Sequence, residues 1–233
     1  HEADFEVFEW LADTDGLVLD VGASRGQSAL SILRRTRRMR VFSVEPNRKH
    51  RWSLLTILLL HPFRYRFSLL AAGDRECSKT LFVPGRRASG LSAQASLDPA
   101  EFDKQYVRDR LSESGFDAGD PAGYRRLTVR VMPLDTLGLK PDFIKLDVEG
   151  FEHQALTGLE ETLRSFPALL IEINNSERWL PGLKERGYAF YHYDESKKIL
   201  QCAQDPPGVL NLFCLNSSSR SVITRTLLDK VEQ

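Results

Sequence analysis

Cysteine is scarce in this chain: its 233 residues hold only Cys77, Cys202 and Cys214. No pair is spaced C-x-x-C, so neither a disulfide framework nor a thiolate metal site can be read from them. A reducing, cytoplasmic setting is the default expectation. Long apolar runs are missing too. The longest, Leu54-Leu-Thr-Ile-Leu-Leu-Leu60, falls far short of the roughly 20 residues that span a bilayer, so no stable membrane insertion is expected. His1 to Trp10 lack a cationic region followed by an apolar one, so no signal peptide is expected. Neither charge sign is in excess. Lys plus Arg and Asp plus Glu number 32 each, which argues against a whole-domain preference for nucleic acid. What is present is ordinary for a globular protein, 42% hydrophobic and 27% charged residues in a length that suits one domain.

Short apolar segments alternate with helical patterns, the signature of a parallel sheet with crossover helices. Residues 17–22, 40–45, 66–72, 143–148 and 168–174 read as successive strands. Residues 27–35, 49–60, 152–165 and 178–186 read as helices between or after them. Residues 188–193 and 209–215 read as two closing strands joined through Pro206-Pro207-Gly208, which would make one strand antiparallel. Two further β segments, 79–83 and 127–131, flank a polar excursion at 98–126. Phe102, Tyr106, Leu111 and Phe116 are loosely helical in their spacing there. An excursion of this length is a lid or binding loop, or a plain surface insertion. Residues 1–216 are expected to form one domain, with a helical tail at 217–233.

The first strand runs into Asp20-Val-Gly-Ala-Ser-Arg-Gly26 and then a helix. Glycines permit a sharp turn and close backbone approach, and the helix start offers free N–H groups. The second strand ends in Glu45, where an acid commonly accepts from ribose hydroxyls. A dinucleotide site wants G-x-G-x-x-G to make room for a pyrophosphate. The Gly22-x-x-x-Gly26 spacing behind an acid suits a nucleoside without one, namely S-adenosylmethionine. The competing reading is a tight turn with no ligand.

The fourth strand carries more charge than burial tolerates. In Phe143-Ile-Lys-Leu-Asp-Val-Glu-Gly-Phe-Glu152, the apolar Phe143, Ile144, Leu146 and Val148 interleave with Lys145, Asp147 and Glu149. Charges on such a strand are costly unless paired or used. Ligands bind beyond the carboxyl ends of strands in open α/β sheets. Asp147 and Glu149 alternate with apolar residues and so share a side. Two like charges there would raise one pKa, which favours a general base. Glu149 is the first choice for that base, and Asp147 would hold the cofactor's amino group or a metal. The competing reading is an ion pair with Lys145. His153, at the following helix start, is a further candidate base, against the reading of a solvated histidine. Asp147, Glu172 and Asn174 make a minority metal reading, an all-oxygen set suited to Mg²⁺. The basic run at 34–40 reads as a solvated helix end, and Trp52 and Trp179 as buried unless they stack on a sugar.

Together, Asp20-Val-Gly-Ala-Ser-Arg-Gly26 and Ile144-Lys-Leu-Asp-Val-Glu-Gly-Phe-Glu152 resemble the FkbM family of S-adenosylmethionine-dependent methyltransferases. Leu156, Gly158 and the Leu134-Asp-Thr-Leu137 run also look like that family, while Ser24 stands where its first loop usually carries Asn. The resemblance implies a Rossmann-like class I methyltransferase fold: a seven-stranded sheet, mostly parallel with one antiparallel strand, and helices on both faces. It implies O-methylation of a hydroxyl on a small molecule, sugar, glycolipid or natural product. The cofactor positions it implies are Asp20, Gly22, Ala23, Ser24 and Gly26, with Glu45 on the ribose, Ala72, Gly73 and Asp74 beside the adenine, and Asp147. A dinucleotide-dependent oxidoreductase and a non-catalytic binding module that keeps the fold are the competing functions.

Overall fold

Why the charged strand is tolerated becomes plain from its neighbours. In the computed structural model, residues 3–85, 95–113, 124–203 and 209–232 are described. The chain runs β1 (Leu17–Val21), α1 (Gln27–Arg35), β2 (Arg40–Val44), α2 (Arg51–Leu60), β3 (Tyr65–Ser68), β4 (Ala71–Ala72), β5 (Cys77–Pro84), α3 (Gln105–Glu113) and β6 (Tyr124–Met132). It continues through β7 (Phe143–Leu146), α4 (Glu152–Thr157), α5 (Glu160–Leu163), β8 (Ala168–Glu172), α6 (Ser176–Glu185), β9 (Ala189–Asp194), β10 (Ile199–Cys202), β11 (Asn211–Leu215) and α7 (Val222–Leu228).

The main sheet has eight strands in the order β10-β9-β11-β8-β7-β1-β2-β3. From β3 to β8 the pairs are parallel, and β11 runs antiparallel to both β8 and β9. The sequence led us to expect seven strands with one antiparallel. The additional one is β10, which folds back antiparallel on β9 and occupies the sheet edge. Its four residues are too short to register as a pattern. The β9–β10 turn is held by Asp194, whose Oδ1 accepts from the Ser196 and Lys197 amides at 2.9 and 3.1 Å. The Pro206-Pro207-Gly208 connection lies outside the described residues.

Two expected elements divide. The segment 66–72 splits into β3 in the main sheet and β4, which pairs with β6. β4, β6 and β5 form a separate three-stranded sheet, in which the segments expected at 79–83 and 127–131 pair antiparallel. The helix expected at 152–165 breaks at Gly158. A Cβ at Gly158 would stand 2.0 Å from the Gly73 carbonyl oxygen, so the chain after β4 presses against this point. Asp135 restarts the helix by accepting from the Glu161 and Thr162 amides at 2.8 and 3.0 Å. The Leu134–Leu137 run and Gly158 are therefore one packing unit.

Apolar residues cover both faces of the main sheet. Phe8, Ile32, Leu54 and Phe143 belong to one core cluster; Leu19, Ile144, Leu156 and Trp179 belong to the other. All of β7 is buried, as a central parallel strand must be.

Candidate active site

The site lies at the carboxyl ends of β1, β2, β7 and β8, around a cavity of about 510 Å³. At the end of β1, Asp20 is fully buried and accepts from the Ser28 and Ser43 hydroxyls at 2.7 and 2.8 Å. Burial raises its pKa, against the opposing pull of Lys145, its register partner on β7. Asp20 thus ties β1, α1 and β2 together beneath the loop and does not line the cavity. Gly22 does, with φ +82°, and a Cβ there would stand 1.6 Å from the Asp147 carbonyl oxygen. Gly26 does not line it; its φ of +86° and close contact with Ile57 let α2 pack on the loop. Ser24 and Ala23 line the cavity, and the Ser24 hydroxyl is buried without a hydrogen-bond partner.

Glu45 is buried just past β2 and lines the same cavity. Its Oε2 accepts from the Ser24 amide and its Oε1 from the Asn47 amide, both at 2.7 Å. Burial pushes its pKa up to about 7 although both amides favour the charge. Each carboxylate oxygen keeps a second lone pair for a ligand hydroxyl. Ala72 lines the cavity next to Leu70 and Ala71, whereas Gly73 and the exposed Asp74 do not.

The β7 end departs from the expected strand alternation. The strand stops at Leu146, and Glu149 and Gly150 take left-handed φ values of 50° and 95°. A left-handed Glu is strained and persists only where its surroundings hold it. Glu152 supplies that hold, its Oε1 accepting from the Val148 and Gly150 amides at 3.3 and 3.1 Å. Burial pushes Glu152 up to about 7. The Ser96 hydroxyl, two residues before the excursion, donates to the Glu149 carbonyl at 2.7 Å. Glu101 packs where a Gly150 side chain would be, and accepts from Asn175 Nδ2 and Lys104 Nζ at 2.8 and 2.7 Å. The described part of the excursion is thus fastened through Glu101 onto the turn that carries Glu149, and Ala95 and Leu97, just before the excursion, line the cavity.

The ion pair of the competing reading is present, and it falls on Asp147: Lys145 Nζ meets Asp147 Oδ2 at 2.8 Å. Burial works against the Lys145 charge, but Asp147 and Asp20 outweigh it and raise its pKa. Glu172, at the end of β8, is pushed up to about 10 by burial and by the charges of Asp147 and Glu149. Carboxylate oxygens of Asp147, Glu149 and Glu172 lie within 4.8 Å of one another. Among the described residues these three form the acidic group with the geometry to hold a cation. Asn174 instead donates from Nδ2 to Glu172 Oε2 at 2.7 Å and does not line the cavity. His153 is exposed on α4 and also stands off the cavity wall. Trp179 is buried, donating to the Asn174 carbonyl, and Trp52 is exposed rather than buried. Sequence reasoning missed Phe151 and Gln27, which also line the cavity. Phe151 sits inside the Asp147-to-Glu152 motif and could have been found there.

The mostly parallel eight-stranded α/β sheet, with a glycine turn, a strand-end acid and clustered carboxyls around one cavity, is a fold of the class I methyltransferase kind. Residues 20–195 match the methyltransferase FkbM domain, and the chain belongs to that family. None of the curated proteins compared with the chain matches it. The fold is similar to the crystal structure of methyltransferase FkbM from Methylobacillus flagellatus KT, at 18% identity and a TM-score of 0.52. That match covers 86% of this chain but 43% of the other, so this chain spans less than half of that protein's length. Precorrin-6y C5,15-methyltransferase from Geobacter metallireducens GS-15 matches at 10% identity and a TM-score of 0.47, over 92% of this chain and 87% of its own. M. jannaschii TYW2, solved in complex with AdoMet, matches at 11% identity and a TM-score of 0.43, over 91% and 72%.

Proposed function

We propose that the chain is an S-adenosylmethionine-dependent O-methyltransferase acting on a hydroxyl of a small molecule, sugar, glycolipid or natural product. The observation that carries this reading is one cavity walled by the Gly22 loop and Glu45 on one side and by Glu149 on the other. The residues fit the cofactor: Glu45 offers lone pairs to ribose hydroxyls, and the orphaned Ser24 hydroxyl offers a polar contact in the same loop. S-adenosylmethionine, when bound, supplies a methyl group already activated on a sulfonium.

A hydroxyl is a poor nucleophile until its proton leaves. Lys145 engages Asp147, and Glu172 holds a proton at neutral pH, so Glu149 is the base in this reading. Its left-handed turn, fixed by Glu152 and Ser96, sets where that proton is taken. Holding acceptor and donor in line contributes much of the rate in such transfers. Family membership counts against the dinucleotide-dependent oxidoreductase. The binding-module reading differs in leaving Glu149 without a task.

Titration calorimetry with S-adenosylmethionine, followed by turnover of Glu149→Gln, tests the proposal. We expect cofactor affinity within about twofold of the parent and turnover lower by a factor on the order of a hundred or more. An absence of cofactor binding sinks the whole reading; undiminished turnover in the variant sinks the role of Glu149.

A further inference from the structure

Helix α2 is apolar on the side that packs and on the side that does not. Leu54 and Ile57 are buried against the core, yet Trp52, Leu59, Leu60 and, in the following turn, Phe63 are between 67% and 90% exposed. Trp52, Leu59 and Leu60 stand at i, i+7 and i+8, one face of a helix. Phe63 continues the patch past the helix end. Large apolar side chains clustered in this way on a surface mark an interaction site.

The charges around the patch are of one sign. Between Arg34 and Gly73 the only acid is Glu45, which is buried in the cavity wall. At the helix start stand the exposed Arg48, Lys49 and Arg51, with the Arg51 guanidinium 5.7 Å from the Trp52 ring centroid. Arg125 of β6 approaches Lys49, adding like charge to burial in lowering its pKa. At the other end, Arg64 donates to the Leu33 and Thr36 carbonyls, which brings the Phe63 turn against the end of α1. Arg34 and Arg64 both act on His61 there, and Arg66 donates to the Pro62 carbonyl. The nearby acids Asp13, Asp15 and Glu9 are committed to Arg37, Arg38 and Arg35. The patch is thus apolar at its centre and cationic at both ends, on a chain whose net charge is zero.

We infer that this face of α2 docks on an anionic lipid surface. Trp, Leu and Phe over a basic rim are the composition of an interfacial helix, in which apolar side chains enter the headgroup region and cations meet anionic headgroups. The helix lies on the surface and does not cross it, which agrees with the absence, among the described residues, of any helix long and apolar enough to span a membrane. A second copy of the chain is a poorer occupant, because a two-fold contact would bring the same arginines together. Nucleic acid would meet the charges but leaves Leu59 and Leu60 without a partner.

Flotation with vesicles tests the inference, using phosphatidylcholine alone or with about 30% phosphatidylglycerol. We expect binding to the anionic vesicles only, reversed by high salt, with a blue shift of tryptophan emission that is lost in Trp52→Phe. Arg48→Gln with Arg51→Gln should weaken binding by about 25-fold, since each cation near such a surface contributes about fivefold. Leu59→Ser with Phe63→Ser should weaken it at least tenfold, again an order-of-magnitude expectation. All of these side chains are exposed, and unchanged circular dichroism shows that the variants fold. Lack of binding to anionic vesicles at low salt overturns the inference. So does a dimer in sedimentation that Leu59→Ser with Phe63→Ser dissociates without any vesicle binding. So does RNA binding that depends on the arginines while vesicle binding does not.

Discussion

Glu45 binds the glycine loop to the end of β2 and in the proposed function also meets the cofactor, and these two tasks set its chemistry. Two amides favour its charge, but burial prevails and brings its pKa to about 7. A carboxylate accepts from ribose hydroxyls better than a carboxylic acid does. Cofactor affinity should therefore fall as pH drops below about 7, approaching tenfold per unit, and be flat above it. Calorimetry across that range checks this, and Glu45→Gln should remove the dependence. The carboxyl cluster on the opposite wall carries a second expectation. Lys145 neutralises Asp147 and burial keeps Glu172 protonated, so Glu149 is not surrounded by uncompensated charge. Repulsion that a divalent cation would relieve is already relieved, and turnover should be unchanged by a chelator. A loss of turnover restored by Mg²⁺ would instead favour ligation by Asp147, Glu149 and Glu172.

At the scale of elements, glycine marks where two segments must touch. Gly22 takes φ +82° and faces the Asp147 carbonyl at 1.6 Å from an ideal Cβ, whereas Gly138 takes φ +63° with nothing within 4 Å. Both would strain on substitution, but only Gly22 would also push β1 away from β7. Gly138→Ala should cost about 1–2 kcal/mol and Gly22→Ala clearly more, as read from urea unfolding. Equal losses would show that the close approach is not what requires the glycine. The same turn shows how far a sequence speaks. Periodicity located β1, α1, β2, β7 and β8, because burial patterns are written residue by residue, while the Lys145 ion pair entered only as a competing reading that left its acid open. It could not show that β7 ends at Leu146, because nothing in Val148-Glu-Gly150 signals a left-handed Glu. The strand reading still brought Asp147 and Glu149 together, but by alternation where the molecule uses a turn pinned by Glu152 and Ser96. Glu172 entered only as a lesser metal candidate, since its approach depends on the β7–β8 register. The β3–β4 break was hidden because Leu69 and Leu70 are as apolar as the strand before them.

Across the whole molecule, the balanced charge of the sequence conceals an uneven distribution. Cations gather around α2, and acids gather beneath the cavity, where burial raises the pKa values of Asp20, Glu45, Glu152 and Glu172. Each of these carboxyls keeps its proton in the folded state at a pH where the unfolded chain has released it. The folded state therefore binds more protons, and stability falls as pH rises. For Glu45 and Glu152 the window runs from about 4.5 to about 7, and for Glu172 it extends toward about 10. Lys145 does not oppose this trend: its pKa is raised, so the stability it contributes stays present throughout the window. Proteins whose carboxylates are held in ion pairs behave in the opposite way and weaken in acid. Calorimetry of the cofactor-free chain should give a Tm several degrees higher near pH 5.5 than near pH 8, an order-of-magnitude expectation for a chain of this size. Saturating S-adenosylmethionine should narrow that gap, because binding favours the ionised Glu45 and stabilises the folded state most at the alkaline end. A Tm that climbs with pH in the cofactor-free chain would mean that the acids beneath the cavity are ionised in the folded state, and would remove the basis for assigning the resting proton to Glu172.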